Sequence, residues 1–131
     1  MVPPALGYGG GWHPIIAVRS RDLLADFDYD YAALEAMMAS AVWLTTCVVW
    51  RESTTVFHAR NAFPTGGVVE DPATGAAAAA LGGYLRARRL VDVPTTITIR
   101  QGQDMGRPSL LTVLIGPDGG IGVRGTAVPI A

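Results

Sequence analysis

The spacing of hydrophobic and polar positions changes character several times along the chain. Residues 1–12 are rich in Pro and Gly and carry neither a two-residue nor a 3.6-residue period, which predicts an irregular lead-in. His13-Pro14-Ile15-Ile16-Ala17-Val18 then reads as a first strand, with Pro near its start where a missing N–H is tolerated. Asp28 or Asp30 can cap a helix. Behind them Leu34, Met37 and Met38 fall at i, i+3 and i+4, which predicts a helix from about Tyr31 to Ser40. Ala41 to Trp50 is rich in Val, Trp and Thr, and Thr54 to Phe63 alternates. Both are expected as strands joined by a short polar turn.

A loop with Pro64 and Gly66-Gly67 leads to Glu70-Asp71-Pro72-Ala73-Thr74-Gly75, then to a second helix over about Ala76 to Leu85 that holds five consecutive alanines. This segment is apolar on every side until Arg86 and contains Gly82 and Gly83, so propensity alone does not explain it. A helix that is small and apolar all round is a buried one that a sheet wraps closely, because larger side chains would push the strands away. Thr95–Gln101, Ser109–Ile115 and Ile121–Ile130 are expected as three further strands, with Pro117-Asp118-Gly119-Gly120 turning between the last two. The predicted architecture is α+β, a curved, barrel-like mixed β-sheet wrapped around a central Ala-rich helix, in a single domain over residues 1–131.

Composition adds one tension. A chain of 131 residues buries roughly two thirds of the surface its unfolded form exposes, enough for a core without staples. Yet half of its residues are hydrophobic and only 16% are charged, where about 25% is typical. Such a surface is under-charged for a lone monomer, and part of it is expected to be covered, as in a homodimer. The ten basic residues are all Arg and balance eleven acidic ones to a net charge of −1, with Arg86, Arg88 and Arg89 grouped where a helix end favours cations. No nucleic-acid-binding surface is announced. The lone Cys47, in an apolar run, is expected to be buried and inert, which points to a reducing compartment. Met1 to Gly7 lacks the features of a secretory signal, and no apolar run is long enough for a membrane span. A cytoplasmic protein is expected.

Glu70 to Ala77 is the stretch with chemical content. The first turn of a helix leaves backbone N–H groups unpaired, and together they carry roughly half a positive charge. Gly75 and the alanines behind it present those donors with almost no side chain in the way, so a carboxylate or phosphate can approach the backbone. Asp71 and Pro72 shape the loop that enters the turn, and an acid there can hold or exchange a proton. The same residues also fit a capped, buried helix in which Asp71 or Thr74 supplies the cap, and spacing alone favours that reading because caps are the commoner feature.

Phe63-Pro64, Glu70-Asp71-Pro72-Ala73-Thr74-Gly75, Leu81-Gly82-Gly83-Tyr84-Leu85, Gln101-Gly102, Gly106-Arg107-Pro108-Ser109 and Val123-Arg124-Gly125-Thr126-Ala127-Val128 together resemble the C-terminal half of the phenazine-biosynthesis PhzF-like isomerase family. The resemblance implies a diaminopimelate-epimerase-like fold, with two similar halves and an active site in the cleft between them. It implies that Asp71 is a cleft acid assisting proton transfer, and that Thr74, Gly75 and Ala76, with Ala77 behind them, cradle the carboxylate of a small acid. At Ala76 the family usually has Ser. Family members are about twice this length, and their main general acid/base, a glutamate, belongs to the other half. The expected function is therefore a cofactor-independent isomerase or epimerase component, working with a complementary N-terminal half or as a homodimer, with no cofactor and no metal. The alternative is a catalytically silent, dimerising half-domain that binds a small anion or a partner protein.

The remaining candidates read as structural. Glu35, Glu52 and Glu70 are expected as solvated carboxylates, His58 as a hydrogen-bonded residue on the sheet, and Arg107 as a structural residue or one side of an ion pair. His13, at a strand start, is uncommitted but could lie near a cleft. The two histidines and Cys47 have no metal-ligand spacing, and Gly7 to Gly11 precedes a strand where a dinucleotide loop would follow one. Trp12, Trp43 and Trp50 are expected as core or interface anchors.

Overall fold

The computed structural model describes residues 2–130, and in it one sheet of eight strands curls around one helix. The strands are β1 (Ala5–Tyr8), β2 (Trp12–Val18), β3 (Thr46–Arg51), β4 (Val56–Ala62), β5 (Glu70–Asp71), β6 (Thr95–Gln101), β7 (Ser109–Ile115) and β8 (Gly122–Arg124). The helices are α1 (Arg21–Ala25), α2 (Tyr31–Ala41) and α3 (Gly75–Ala87). Across the sheet the order is β1-β2-β3-β4-β6-β7-β8, with β5 added to the end of β4. The pairs β2–β3 and β4–β6 are parallel and the others antiparallel, so the sheet is mixed. The expected α+β architecture, a half-barrel around a central alanine-rich helix, is what the chain adopts.

Alternation on the strands decides what the sheet encloses. Ile15, Val49, Phe57, Ala59, Ile97, Ile99, Val113 and Ile115 point inward and form one core with Ala77, Ala78, Leu81 and Leu85 of α3. The helix contacts β1 and β2 on one side and β7 and β8 on the other. Both contacts run through glycine. A Cβ on Gly9, in the β1–β2 turn, would lie 2.2 Å from the Ala76 carbonyl oxygen, and one on Gly82 would lie 2.9 Å from Val113 Cγ1 and 3.0 Å from Ile121 Cγ2. The small residues of α3 and of the turn facing it are thus a packing requirement, and here the expectation from the alanine run holds.

Four local expectations give way. The lead-in of residues 1–12 contains β1, paired with β2 in the register Gly7↔His13 and Tyr8↔Trp12, because its glycines let the turn lie on α3. The strand expected from Ala41 starts at Thr46. Helix α2 first has to end, which it does with Val42 in the left-handed region at φ 59° and the Trp43 N–H donating to the Met38 carbonyl. The strand expected over Ile121–Ile130 pairs only at Gly122–Arg124. Residues 125–130 lie exposed beyond it, with Pro129 lacking a ladder donor. Helix α1 was not anticipated, although Ser20 caps it by accepting from the Leu23 N–H at 3.2 Å. Asp30 caps α2 in the same way, accepting from Ala33 at 2.9 Å. No helix among the described residues is long and apolar enough to cross a membrane.

Candidate functional site

Asp71 closes β5, in register with Asn61 of β4, and four residues later the chain enters α3. That short hairpin carries Asp71 to the N-terminal end of the central helix. Thr74 is the helix N-cap residue, but its side chain makes no capping bond. Its hydroxyl instead donates to Asp71 Oδ2 at 2.6 Å. The first intrahelical bond runs from the Ala78 N–H to the Thr74 carbonyl at 3.0 Å. The N–H groups of Gly75, Ala76 and Ala77 therefore find no acceptor among the described residues, and neither Asp71 nor Thr74 acts as a cap for them. Gly75 is exposed, and a Cβ built on it would meet nothing within 4 Å, so the helix opens onto free space at its first residue. Ala76 is half-buried and Ala77 buried. Geometrically this is a bare, partly positive helix end with one carboxylate tethered beside it.

The side chains that hold this loop come from the far end of the sequence. Gln101, at the end of β6 and 1% exposed, donates from Nε2 to the Asp71 carbonyl at 2.8 Å and accepts the Thr74 N–H at 3.2 Å. Ser109, at the start of β7, donates to the Pro72 carbonyl at 2.8 Å. A second buried chain reaches the same end of the sheet: His13 Nδ1 lies 2.8 Å from Thr45 Oγ1, which donates to Asn61 Oδ1 at 3.0 Å. Since the Thr45 hydroxyl spends its proton on Asn61, it accepts from His13, which leaves His13 Nε2 unprotonated and buried without a partner. Burial lowers the His13 pKa, so the ring is neutral.

The carboxylates expected in solvent are distributed differently. Glu35 is exposed on α2. Glu52 is half-exposed but bonded to His58 Nε2 at 2.8 Å, which makes His58 the hydrogen-bonded sheet residue it was expected to be. Glu70 is a correction: it is buried and accepts from Arg60 Nη2 at 2.7 Å and Nε at 3.1 Å, because β5 pairing turns its side chain toward β4. Arg60 in turn donates to the carbonyls of Leu24, Ala25 and Phe27, so one guanidinium ties the end of α1 to β4 and β5. Glu70 is thereby committed to structure. A depression of about 700 Å³ flanks Asp71 and Pro72, walled by Arg60, Phe63, Val69 and Arg107, and Arg107 is exposed there without an ion-pair partner among the described residues. Cys47 is buried on β3, its thiol pushed up to about 12 by burial, the inert state expected of it. Trp12 is nearly half exposed beside Tyr8, ring centroids 5.0 Å apart, on the outer face of the β1–β2 hairpin. Among the described residues no group of three or more His, Cys, Asp or Glu side chains gathers as a metal site.

Sequence reasoning named Asp71, Thr74, Gly75, Ala76 and Ala77, and the fold brings these five together at one helix end. It missed Gln101 and Ser109 as their supports. The signal lies in the stretch Gln101-Gly102…Arg107-Pro108-Ser109, where a glycine turn joins two polar strand ends.

A family model described as phenazine biosynthesis-like protein, PhzC-PhzF, matches residues 1–131. No curated protein matches the sequence. Among solved structures, a PhzF-family phenazine biosynthesis protein from Bacillus anthracis superposes with a TM-score of 0.76 at 20% identity, over 93% of this chain and 44% of that one. A protein from Pseudomonas aeruginosa described as a predicted epimerase gives 0.68 at 23% identity, over 96% and 44%. A PhzF-family protein from Enterococcus faecalis gives 0.63 at 21%, over 93% and 44%. At these identities the likeness is one of fold, and the chain spans less than half the length of the proteins it resembles.

Proposed function

The chain belongs to the phenazine biosynthesis-like PhzC-PhzF family, and from that membership we propose that it is one half of an isomerase or epimerase of that kind. In this reading the N–H groups of Gly75, Ala76 and Ala77 bind the carboxylate of a small organic acid. The observation that carries it is the uncapped first turn of α3, exposed at Gly75, with Asp71 fixed beside it by Thr74. A carboxylate seated there shares its charge with three backbone donors, which favours loss of a proton from the adjacent carbon as negative charge spreads onto the carboxylate. Asp71, with Oδ2 occupied by Thr74, has a second oxygen available to accept or relay that proton. No cofactor is required for such a transfer.

A second carboxylate is missing from this picture. Glu70 is locked to Arg60, and Glu52 is held by His58. In this reading the principal acid/base comes from outside residues 1–131, from a complementary N-terminal half or a second copy of this chain. The test is solvent deuterium incorporation into small carboxylic acids by the protein mixed with candidate N-terminal halves. Exchange that disappears in Asp71→Asn supports the reading, and a folded complex that exchanges no acid refutes it.

One observation favours the alternative of a silent, anion-binding half-domain. Ala76 supplies no hydroxyl at the mouth of the cradle, so the anion would be held by backbone alone. Under that alternative Asp71→Asn changes anion affinity or stability and no chemistry.

A further inference from the structure

The motif from Gln101 to Ser109 is unused by the proposed chemistry, yet its geometry converges on the working loop. Gly102 sits at φ +81°, and a Cβ there would lie 2.1 Å from the Arg107 carbonyl oxygen and 2.9 Å from that of Pro72, so no side chain fits. The Arg107 N–H closes the loop by donating to the Gly102 carbonyl at 2.9 Å. This close approach seats Gln101 and Ser109 directly on residues 71–74.

The amide of Gln101 has one permissible orientation. The Thr74 N–H can only donate and the Asp71 carbonyl can only accept, so Oε1 faces the former and Nε2 the latter. Nε2 also donates to Thr74 Oγ1 at 3.0 Å. The Thr74 hydroxyl, receiving that proton, directs its own to Asp71 Oδ2. We propose that Gln101 is a positioning residue: through the Thr74 hydroxyl it fixes the Asp71 carboxylate with Oδ2 engaged and Oδ1 turned to whatever occupies the cradle, and through two backbone bonds it holds the entry to α3. It rests on the reading of Asp71 and Gly75–Ala77 as the working site. Because Gln101 is buried, it touches no ligand, and its influence on the site passes through Thr74 and the loop backbone. Of the two clamps, Ser109 reaches only backbone, the carbonyls of Pro72 at 2.8 Å and Gln101 at 3.3 Å, and so holds the loop without setting the hydroxyl.

The experiment compares Gln101→Met, Thr74→Val and the double variant in the full chain, by NMR at neutral pH. The reporter is the side-chain carboxyl 13C resonance of Asp71, which responds to hydrogen bonds the carboxylate accepts. Sodium acetate titrated against the amides of Gly75, Ala76 and Ala77 supplies a second measurement. Gln101→Met is expected to move the Asp71 resonance in the same direction as Thr74→Val. The double variant should move it by less than the sum of the two single shifts, since both act on the carboxylate through the Thr74 hydroxyl. Acetate binding should weaken about five-fold in Gln101→Met, the scale of one lost net hydrogen bond. A folded Gln101→Met whose Asp71 resonance matches the wild type, while Thr74→Val moves it, overturns the proposal. Additive effects in the double variant do the same. If Gln101→Met does not fold, Gln101→Glu, which keeps an acceptor for the Thr74 N–H but lacks the two donated bonds, is read against the same two outcomes. Absence of any acetate response in the wild type refutes the anion-binding reading instead, and leaves the Asp71 resonance to judge Gln101.

Discussion

Gly9→Ala tests the placement of the β1–β2 turn on the central helix. A Cβ at this position would lie 2.2 Å from the Ala76 carbonyl oxygen, 3.0 Å from the Ala80 nitrogen and 3.2 Å from the Ala76 carbonyl carbon, where ordinary contact begins at 3.4 Å. All three neighbours are helix backbone, so no side chain can rotate away. The turn cannot easily yield either, because the Gly9 N–H is bonded to the Gly11 carbonyl at 3.0 Å and β1 is pinned to β2 on both sides of it. Relief requires the turn or the first turns of α3 to move by about 1 Å, an overpacking change that costs about 1–3 kcal/mol. For a domain of this size that corresponds to a fall in melting temperature of about 4–12 °C. Thermal unfolding followed by circular dichroism, with urea midpoints as a second measure, reads it. Because Ala76 carries one of the proposed anion-binding N–H groups, acetate affinity should fall as well. A variant that melts within about 1 °C of the wild type would refute the close approach of turn and helix.

Three further outcomes are expected. Gly75→Ala should raise stability by about 0.5–1 kcal/mol, since the position is helical and its Cβ meets nothing, yet weaken acetate binding by placing a methyl group at the mouth; urea denaturation and the acetate titration check the two halves separately. Ala76→Ser should tighten acetate binding by about ten-fold if its hydroxyl reaches the anion, the low end of a charge-assisted bond, and an unchanged affinity would place the anion elsewhere. His13 has its folded pKa lowered by burial, so between the unfolded value near 6.5 and the lower folded value only the unfolded chain takes up the proton; stability falls as the pH drops through that window. His13→Gln should lack that component, seen as a smaller loss of urea midpoint between pH 7.5 and 5.5 than in the wild type.

What was legible in the sequence was legible for physical reasons. β6 and β7 alternate cleanly and are bounded by turn residues, and both lie where the pattern put them. The alanine run of α3 could be read as a wrapped helix because an all-apolar run of small residues has few other uses. The β1–β2 hairpin was hidden because the glycines that let it touch α3 carry no hydrophobic period. The Arg60–Glu70 pair was hidden for a different reason: it depends on the two-residue strand β5 pairing back onto β4, a contact that no local period announces. The five cradle residues were named from one contiguous stretch. Gln101 and Ser109 lie 27 and 35 residues beyond Thr74, and their role exists only once β6 and β7 are laid beside that stretch.

The packing demand and the proposed chemistry are met by the same residues. Where the sheet closes on the first turns of α3, Gly75 to Ala80 carry nothing beyond Cβ, and a helix so stripped at its start presents its first-turn N–H groups bare. An ordinary protein would quench that end with a cap. Here the residue in the cap position sends its hydroxyl to Asp71, and Gln101 supplies the proton arrangement that keeps it there. Capping is worth about 1 kcal/mol, so leaving it undone at a helix that organises the whole core is a cost. The Thr74–Asp71–Gln101 hydrogen bonds offset part of that cost, while leaving the helix end without an internal acceptor. On this view Thr74→Asp, which offers the Gly75–Ala77 amides an internal carboxylate, should gain stability and lose acetate binding together, and a variant that gained one without losing the other would separate the two demands.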